Sequence, residues 1–156
     1  LGKNATNKIF KLIKSLVLPY LKSETDRALI IENDSKRIVT VEFSSDPDIR
    51  IMEMIGSTKR PLVSIEIKGG KDKSNIHNRI GEAEKSHQKA KGNNFFEFWT
   101  MIRIDLDYED AKRESPTTTR FFNIDYIHDP HHQEYQLFRD LLSSLLSIQI
   151  KQEDLR

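Results

Sequence analysis

Hydrophobic and polar positions follow two rhythms along this chain. Over residues 7–21, NKIFKLIKSLVLPYL, the residues Ile9, Phe10, Leu12, Ile13, Leu16, Val17 and Leu21 recur at helical spacing. Lys8, Lys11 and Lys14 lie largely off that stripe. The pattern predicts an amphipathic helix packed on its own domain, with Asn4 or Thr6 as its cap. A basic amphipathic helix also suits a membrane surface or a targeting peptide, but an apolar stripe with a polar back is the ordinary core-facing pattern. ALII (28–31) and RIVTVEF (37–43) then read as strands, broken by the turn-prone ENDSK. Val39, Val41 and Phe43 share one strand face; Thr40 and Glu42 share the other.

Further along, SSDPD reads as a loop, and IRIMEMI fits either a strand or the start of a helix. GSTKRP is a turn and LVSIEIK a strand. Residues 79–91 predict a helix. FFEFWTMIRIDL (95–106) is apolar enough for a long strand at the centre of a sheet. DLDYEDAKRESPTTT reads as a polar loop and RFFNIDYI as another strand. DPHHQEYQLFRDLLSSLLSI predicts a final helix, with Tyr135, Leu137, Phe138, Leu141, Leu142, Leu145 and Leu146 on or near its buried face. Helices flanking a run of strands predict an α/β domain: a central mixed β-sheet covered by helices on both faces.

Composition narrows the function classes. At 156 residues the expectation is one domain, residues 1–156, long enough to bury a core. The chain begins at Leu1 rather than Met, which fits a fragment of a longer protein or a processed one. No run approaches the ~18 apolar residues of a membrane span, so no membrane partner is expected. The absence of cysteine excludes a disulfide framework and a thiolate zinc site, and fits a reducing, cytoplasmic location. With a net charge of +1, any anion-binding surface must come from local clustering. Neither GxxxxGK nor GxGxxG is present, so no nucleotide cofactor is expected.

The candidate chemistry centres on VSIEIK. Val63, Ile65 and Ile67 point one way, into the core; Ser64, Glu66 and Lys68 point the other. A carboxylate and an ammonium thus project side by side from one strand. Asp48, in Asp46-Pro47-Asp48, precedes Glu66 with 17 residues between them. That gap suits a strand or turn leading back into an adjacent strand, which brings Asp48 beside Glu66. Two carboxylates at one point repel each other unless a cation sits between them. Oxygen ligands without His or Cys favour a hard ion, Mg²⁺ or Mn²⁺. Such an ion polarises a phosphoryl oxygen and makes water nucleophilic near neutral pH. A neighbouring lysine orients or helps deprotonate that water and offsets developing charge.

Pro47-Asp48 … Glu66-Ile67-Lys68 resembles the PD-(D/E)xK nuclease superfamily, and looks most like a type II restriction endonuclease. The resemblance covers residues 38–105, and the run GGKDKSNIHNRIGEAEKSHQKA is similar to a restriction-enzyme subfamily. It implies a restriction-endonuclease-like fold, Mg²⁺ held by Asp48, Glu66 and the Ile67 carbonyl, with Mn²⁺ able to substitute, and Lys68 serving the attacking water. It implies double-stranded DNA as substrate and a homodimer. Asp46 rivals Asp48 for the acidic slot; Asp48 is preferred because the family places Pro directly before the metal ligand. Glu42 is a candidate further ligand or a partner for Lys68.

If the strand delivers a metal to a phosphate, the segment after it faces nucleic acid. Gly69 and Gly70 allow close approach and backbone angles barred to other residues. Lys71, Lys73 and Arg79 suit phosphates. Asp72, Ser74, Asn75, His77 and Asn78 carry polar groups suited to the DNA; Asn pairs with adenine and Asp with cytosine N4. On the helix 79–91, Ile80, Ala83, His87 and Ala90 line one face, and Glu84, Gln88 and Lys91 another. In the resembled superfamily a Glu, Gln or Lys here tunes the site, so Glu84, Lys85 and Gln88 are accessory candidates. His128, His131 and His132 superficially resemble a metal cluster. Pro130 breaks the chain between them and HExxH is absent, so a helix N-terminus with Asp129 as cap is the better reading. A repair, resolvase or mobile-element nuclease of the same fold, or a non-catalytic DNA-binding or assembly domain, are the alternatives.

Overall fold

The computed structural model describes residues 2–44 and 46–151. Its centre is a seven-stranded sheet whose spatial order follows the chain, β1 to β7. β1 (Leu21–Glu24), β2 (Ala28–Glu32), β3 (Ile38–Phe43), β4 (Ile49–Ile55) and β5 (Thr58–Lys68) form an antiparallel meander. β6 (Glu97–Ile102) and β7 (Arg120–Asn123) continue it in parallel. Parallel neighbours require crossovers. These are supplied by α2 (Ile76–Gly92) between β5 and β6, and by α3 (Tyr108–Glu114) between β6 and β7.

Each face of the sheet is buried by a different pair of helices. α1 (Gly2–Val17) and α5 (Gln133–Leu146) cover one side; Ile9, Ile13, Phe138 and Leu142 meet Leu29, Val41, Ile51, Ile65 and Met101 there. Trp99, Phe122 and Phe138 pack edge-to-face at the centre, with ring centroids 5.5–5.8 Å apart. α2 and α3 cover the other side, where Ile76 and Ile80 pack with Ile102 and Ala111, and Ala90 packs with Phe95 and Phe98. The alternating halves of β5 are therefore both buried, which is why Glu66 is only 3% exposed. No helix among the described residues is long and apolar enough to cross a membrane.

Several local expectations are corrected. α1 begins at Gly2, so Asn4 and Thr6 lie inside it and do not cap it. A 3₁₀ turn carrying Pro19 follows the helix, and Leu21, expected on its stripe, opens β1. IRIMEMI is a strand. The long strand expected over 95–106 is confined to Glu97–Ile102. The polar loop contains α3, capped by Asp107, whose side chain accepts from Glu109 N–H at 2.9 Å. RFFNIDYI divides at Asn123, whose side chain accepts from the N–H groups of Asp125 and Tyr126 and starts α4 (Ile124–Ile127). His132, not Asp129, caps α5. Leu137, read as near the buried face, is 40% exposed.

The packing of α5 predicts contrasting effects for adjacent residues. In urea unfolding, Phe138→Ala should lower stability by about 3–5 kcal/mol, the range for truncating a buried aromatic. Leu137→Ala should stay within about 0.5 kcal/mol, as surface substitutions do.

Candidate active site

Antiparallel pairing of β4 with β5 builds the site. Ile49 lies opposite Ile65 and Arg50 opposite Ser64, so Asp48, one residue before β4, comes up beside Glu66. Two backbone bonds hold the pair. Asp48 N–H donates to Glu66 Oε2 at 3.3 Å, and Ile67 N–H donates to Asp48 Oδ2 at 2.8 Å. The loop before Asp48 is closed by Ser44, whose N–H donates to the Asp48 carbonyl at 3.0 Å and whose hydroxyl donates to the Pro47 carbonyl at 2.7 Å. Lys68, two residues after Glu66 on the same face, places Nζ 3.8 Å from Glu66 Oε1. A second carboxylate reaches it from α2: Glu82 Oε2 lies 3.6 Å away.

The electrostatics follow from this crowding. Burial pushes the Glu66 carboxyl up to about 7, the charge of Asp48 pushes the same way, and Lys68 opposes both. Asp48 is also raised, chiefly by burial, against the Ile67 N–H and Lys68. Two neighbouring carboxyls both displaced toward the protonated form are short of positive charge, which is the condition a hard cation relieves. The donor set is all oxygen and suits such an ion. No group of three or more His, Cys, Asp or Glu side chains is placed to hold a metal among the described residues.

The two acidic residues of the loop part company. Asp46 turns to α2, where it accepts from Ser86 Oγ at 2.8 Å and lies 3.5 Å from Lys89 Nζ. Glu42 pairs across the strands with Arg50 at 2.7 Å. Glu84 is buried: it accepts from Ser115 Oγ, from the Thr117 hydroxyl and N–H, and from Gln88 Nε2. Burial pushes its carboxyl up, but those donors outweigh it and hold it below the usual range. Beside it His87, fully buried, meets Thr100 Oγ1 through Nε2 at 2.8 Å, and burial depresses its imidazole to about 4. Lys85 is exposed.

The segment after Lys68 divides into structural and outward-facing groups. Asp72 caps a 3₁₀ turn, accepting from Ser74 N–H and Oγ and from Asn75 Nδ2. His77 pairs with Glu114. Lys71, Lys73 and Asn78 are exposed and Arg79 half-buried. Gly69 and Gly70 do not take positive φ, contrary to the expectation of special backbone angles. Their small size serves packing instead. A Cβ on Gly69 would lie 2.6 Å from Ala5 Cβ, and one on Gly70 2.8 Å from Arg79 Cζ. Sequence reasoning missed Glu82. The signal was present: Asn75, Asn78, Arg79 and Glu82 follow i, i+3, i+4, i+7, a polar stripe flanking the apolar one. His128 faces the Ile124 and Lys8 carbonyls and His132 stacks on Tyr126 as it caps α5, so both rings serve the fold.

The family model of the XcyI restriction endonuclease matches residues 1–149. The type II restriction enzyme Cfr9I of Citrobacter freundii is 42% identical over 142 residues, which are 90% of this chain and 43% of that protein. The type II restriction enzyme XcyI of Xanthomonas campestris pv. cyanopsidis shows the same identity and coverage. The chain thus spans less than half the length of these relatives. No solved structure matches it. With the family model covering nearly all its residues, the chain belongs to the XcyI restriction endonuclease family.

Proposed function

We propose that this chain carries the catalytic centre of a Mg²⁺-dependent, sequence-specific endonuclease that hydrolyses double-stranded DNA. The observation that carries the reading is the meeting of Asp48 and Glu66 through two backbone hydrogen bonds, with Lys68 on the same strand face. Asp48, Glu66 and the carbonyl of Ile67 would hold the ion. When bound, Mg²⁺ supplies charge against a phosphoryl oxygen and acidifies water near neutral pH. Mn²⁺ is the expected substitute, its ligand preferences being similar.

The protein's own groups do the rest. Lys68 Nζ orients the attacking water and offsets negative charge as the phosphorane develops. Glu82 restrains Lys68 from the helix side, so the amine is held between two carboxylates. Asp46 fastens the acidic loop to α2 through Ser86 and Lys89, fixing the aim of Asp48. Exposed Lys71 and Lys73, on the loop directly after the catalytic strand, contact the DNA backbone. A two-fold homodimer acting on a palindrome is the assembly this chemistry suits, because each copy has one set of catalytic groups for one strand.

Incubated with plasmid DNA and Mg²⁺, the protein should give discrete bands; a smear or junction-only cleavage would reassign the substrate to DNA of particular structure. Lys68→Ala should lower the cleavage rate by about 10²–10⁴-fold, the usual worth of a positioned proton-transfer group, while duplex binding persists. Parent-rate cleavage by that variant would remove Lys68 from the mechanism. Glu82→Ala should slow cleavage by a smaller factor than Lys68→Ala with DNA binding unchanged; equal rates for Glu82→Ala and parent would show that Lys68 needs no such restraint.

Thermal melting without divalent ions tests the electrostatics. Because the folded-state Glu66 binds its proton more tightly than the unfolded chain does, the folded state loses relative stability as pH rises from about 4.5 to about 7. Glu66→Gln should flatten that decline. Added Mg²⁺ should raise the parent melting temperature more above this window than below it, and Asp48→Asn should abolish the rise. A Mg²⁺ effect independent of both residues would place the ion elsewhere.

A further inference from the structure

The first turns of α2 carry a feature of which the catalytic chemistry uses only Glu82. Asn75, Asn78, Arg79 and Glu82 line one open polar pocket of about 280 Å³. Through Glu82, which lies 3.6 Å from Lys68 Nζ, this pocket adjoins the catalytic strand. Arg79 is half-buried, its Nε is buried without a hydrogen-bond partner, and among the described residues it forms no ion pair, although its charge is felt at the Asp72 carboxyl. Its position is nevertheless constrained. A Cβ on Gly70 would stand 2.8 Å from Arg79 Cζ and 3.0 Å from each of Nη1 and Nη2. Near-equal distances to three atoms mean that the guanidinium lies face-on against the glycine. Its edge, where the donors point, is left for a ligand.

A guanidinium is donor-only and planar, and matches a ligand that offers two acceptors side by side. In DNA these are phosphate oxygens or the O6 and N7 atoms of guanine. The pocket discriminates between them. Glu82 places a carboxylate in it, which opposes a fully charged phosphate more strongly than a neutral base edge. The Asn75 and Asn78 amides add donors and acceptors of the kind that read bases, and Asn78 is exposed to do so. Exposed Lys71 and Lys73 lie outside the lining of that pocket and are the candidates for phosphate contacts.

We infer that this pocket is a base-reading site and that Arg79, held flat by Gly70, determines specificity by donating both its terminal nitrogens to the major-groove edge of a guanine. The inference rests on the nuclease reading above and adds the residue that selects the sequence. It also assigns Gly70 a purpose: a larger residue there displaces the guanidinium from the plane it needs.

The test begins with the parent protein. Sequencing the ends it leaves on a plasmid of known sequence defines its site. Duplexes carrying that site are then made with 7-deazaguanine, which lacks N7, at one guanine at a time. Binding is followed by fluorescence anisotropy with Ca²⁺ in place of Mg²⁺, alongside the melting temperature of each variant. For the parent, one such replacement should weaken binding on the order of 10-fold. Arg79→Ala and Arg79→Lys should both bind the natural site on the order of 10- to 100-fold more weakly, and the same replacement should cost them nothing further. Gly70→Ala, which keeps the arginine, should show the same loss of dependence. The inference is overturned if the site lacks guanine or if the replacement costs the variants as much as the parent. It is also overturned if Arg79→Ala weakens binding to every duplex alike and lowers the salt slope by about one, the mark of a phosphate contact. If the parent itself leaves no discrete ends and prefers no duplex, the nuclease reading fails and this inference with it. Failure confined to the variants' discrimination leaves the nuclease reading standing.

Discussion

Two carboxylates forced together inside a protein are the constraint around which this structure is organised. Asp48 and Glu66 sit where β4 and β5 pair, each partly satisfied by the backbone of the other's strand. Their environment withdraws water without supplying enough positive charge, so both carboxyls are displaced toward the protonated form. A purely structural pair would be better served by an arginine, as the buried Glu53 is by Arg37 and Arg60. The contrast is that one acidic site has two arginines beside it, while at the other Lys68 opposes two carboxylates.

α2 joins that centre to the rest of the molecule through two differently used faces. Its inner face is part apolar and part hydrogen-bonded, with Ile80 and Ala83 beside a Glu84–Ser115–Thr118–Thr100–His87 chain of polar contacts. Every member of that chain is buried, so the helix is seated by geometry as well as by hydrophobic area. Its outer face presents Asn78, Arg79, Glu82, Ser86 and Lys89. Three of these meet groups of β5 or the acidic loop: Glu82 touches Lys68, and Ser86 and Lys89 touch Asp46. A shift of the helix would therefore be felt at the acidic loop and the lysine together.

The glycines after Lys68 show how a residue can be read rightly as necessary and wrongly as to why. The expectation for Gly69 and Gly70 is close approach to the DNA and backbone angles barred to other residues. Neither adopts a backbone angle that requires glycine. What the fold needs is the missing side chain, so that α1 can approach Gly69 and the Arg79 guanidinium can lie on Gly70. Such a requirement comes from residues 64 positions upstream and nine downstream, which local pattern cannot report.

Most of the sheet and the placement of Glu66 and Lys68 on one face were legible in the sequence, because strand and helix periods are properties of the local backbone. The motif with Pro47 before Asp48 also pointed to the acidic partner. The split of RFFNIDYI and the hidden α3 escaped because caps such as Asn123 and Asp107 outweigh weak local preference. Only tertiary structure decided that Asp46 serves the helix while Asp48 meets Glu66, and that Glu82 rather than Glu84 reaches Lys68. Those choices depend on the register of β4 against β5 and on the rotation of α2 over the sheet. Both are set by packing between segments far apart in the chain, and a repeating pattern within one segment carries no information about them.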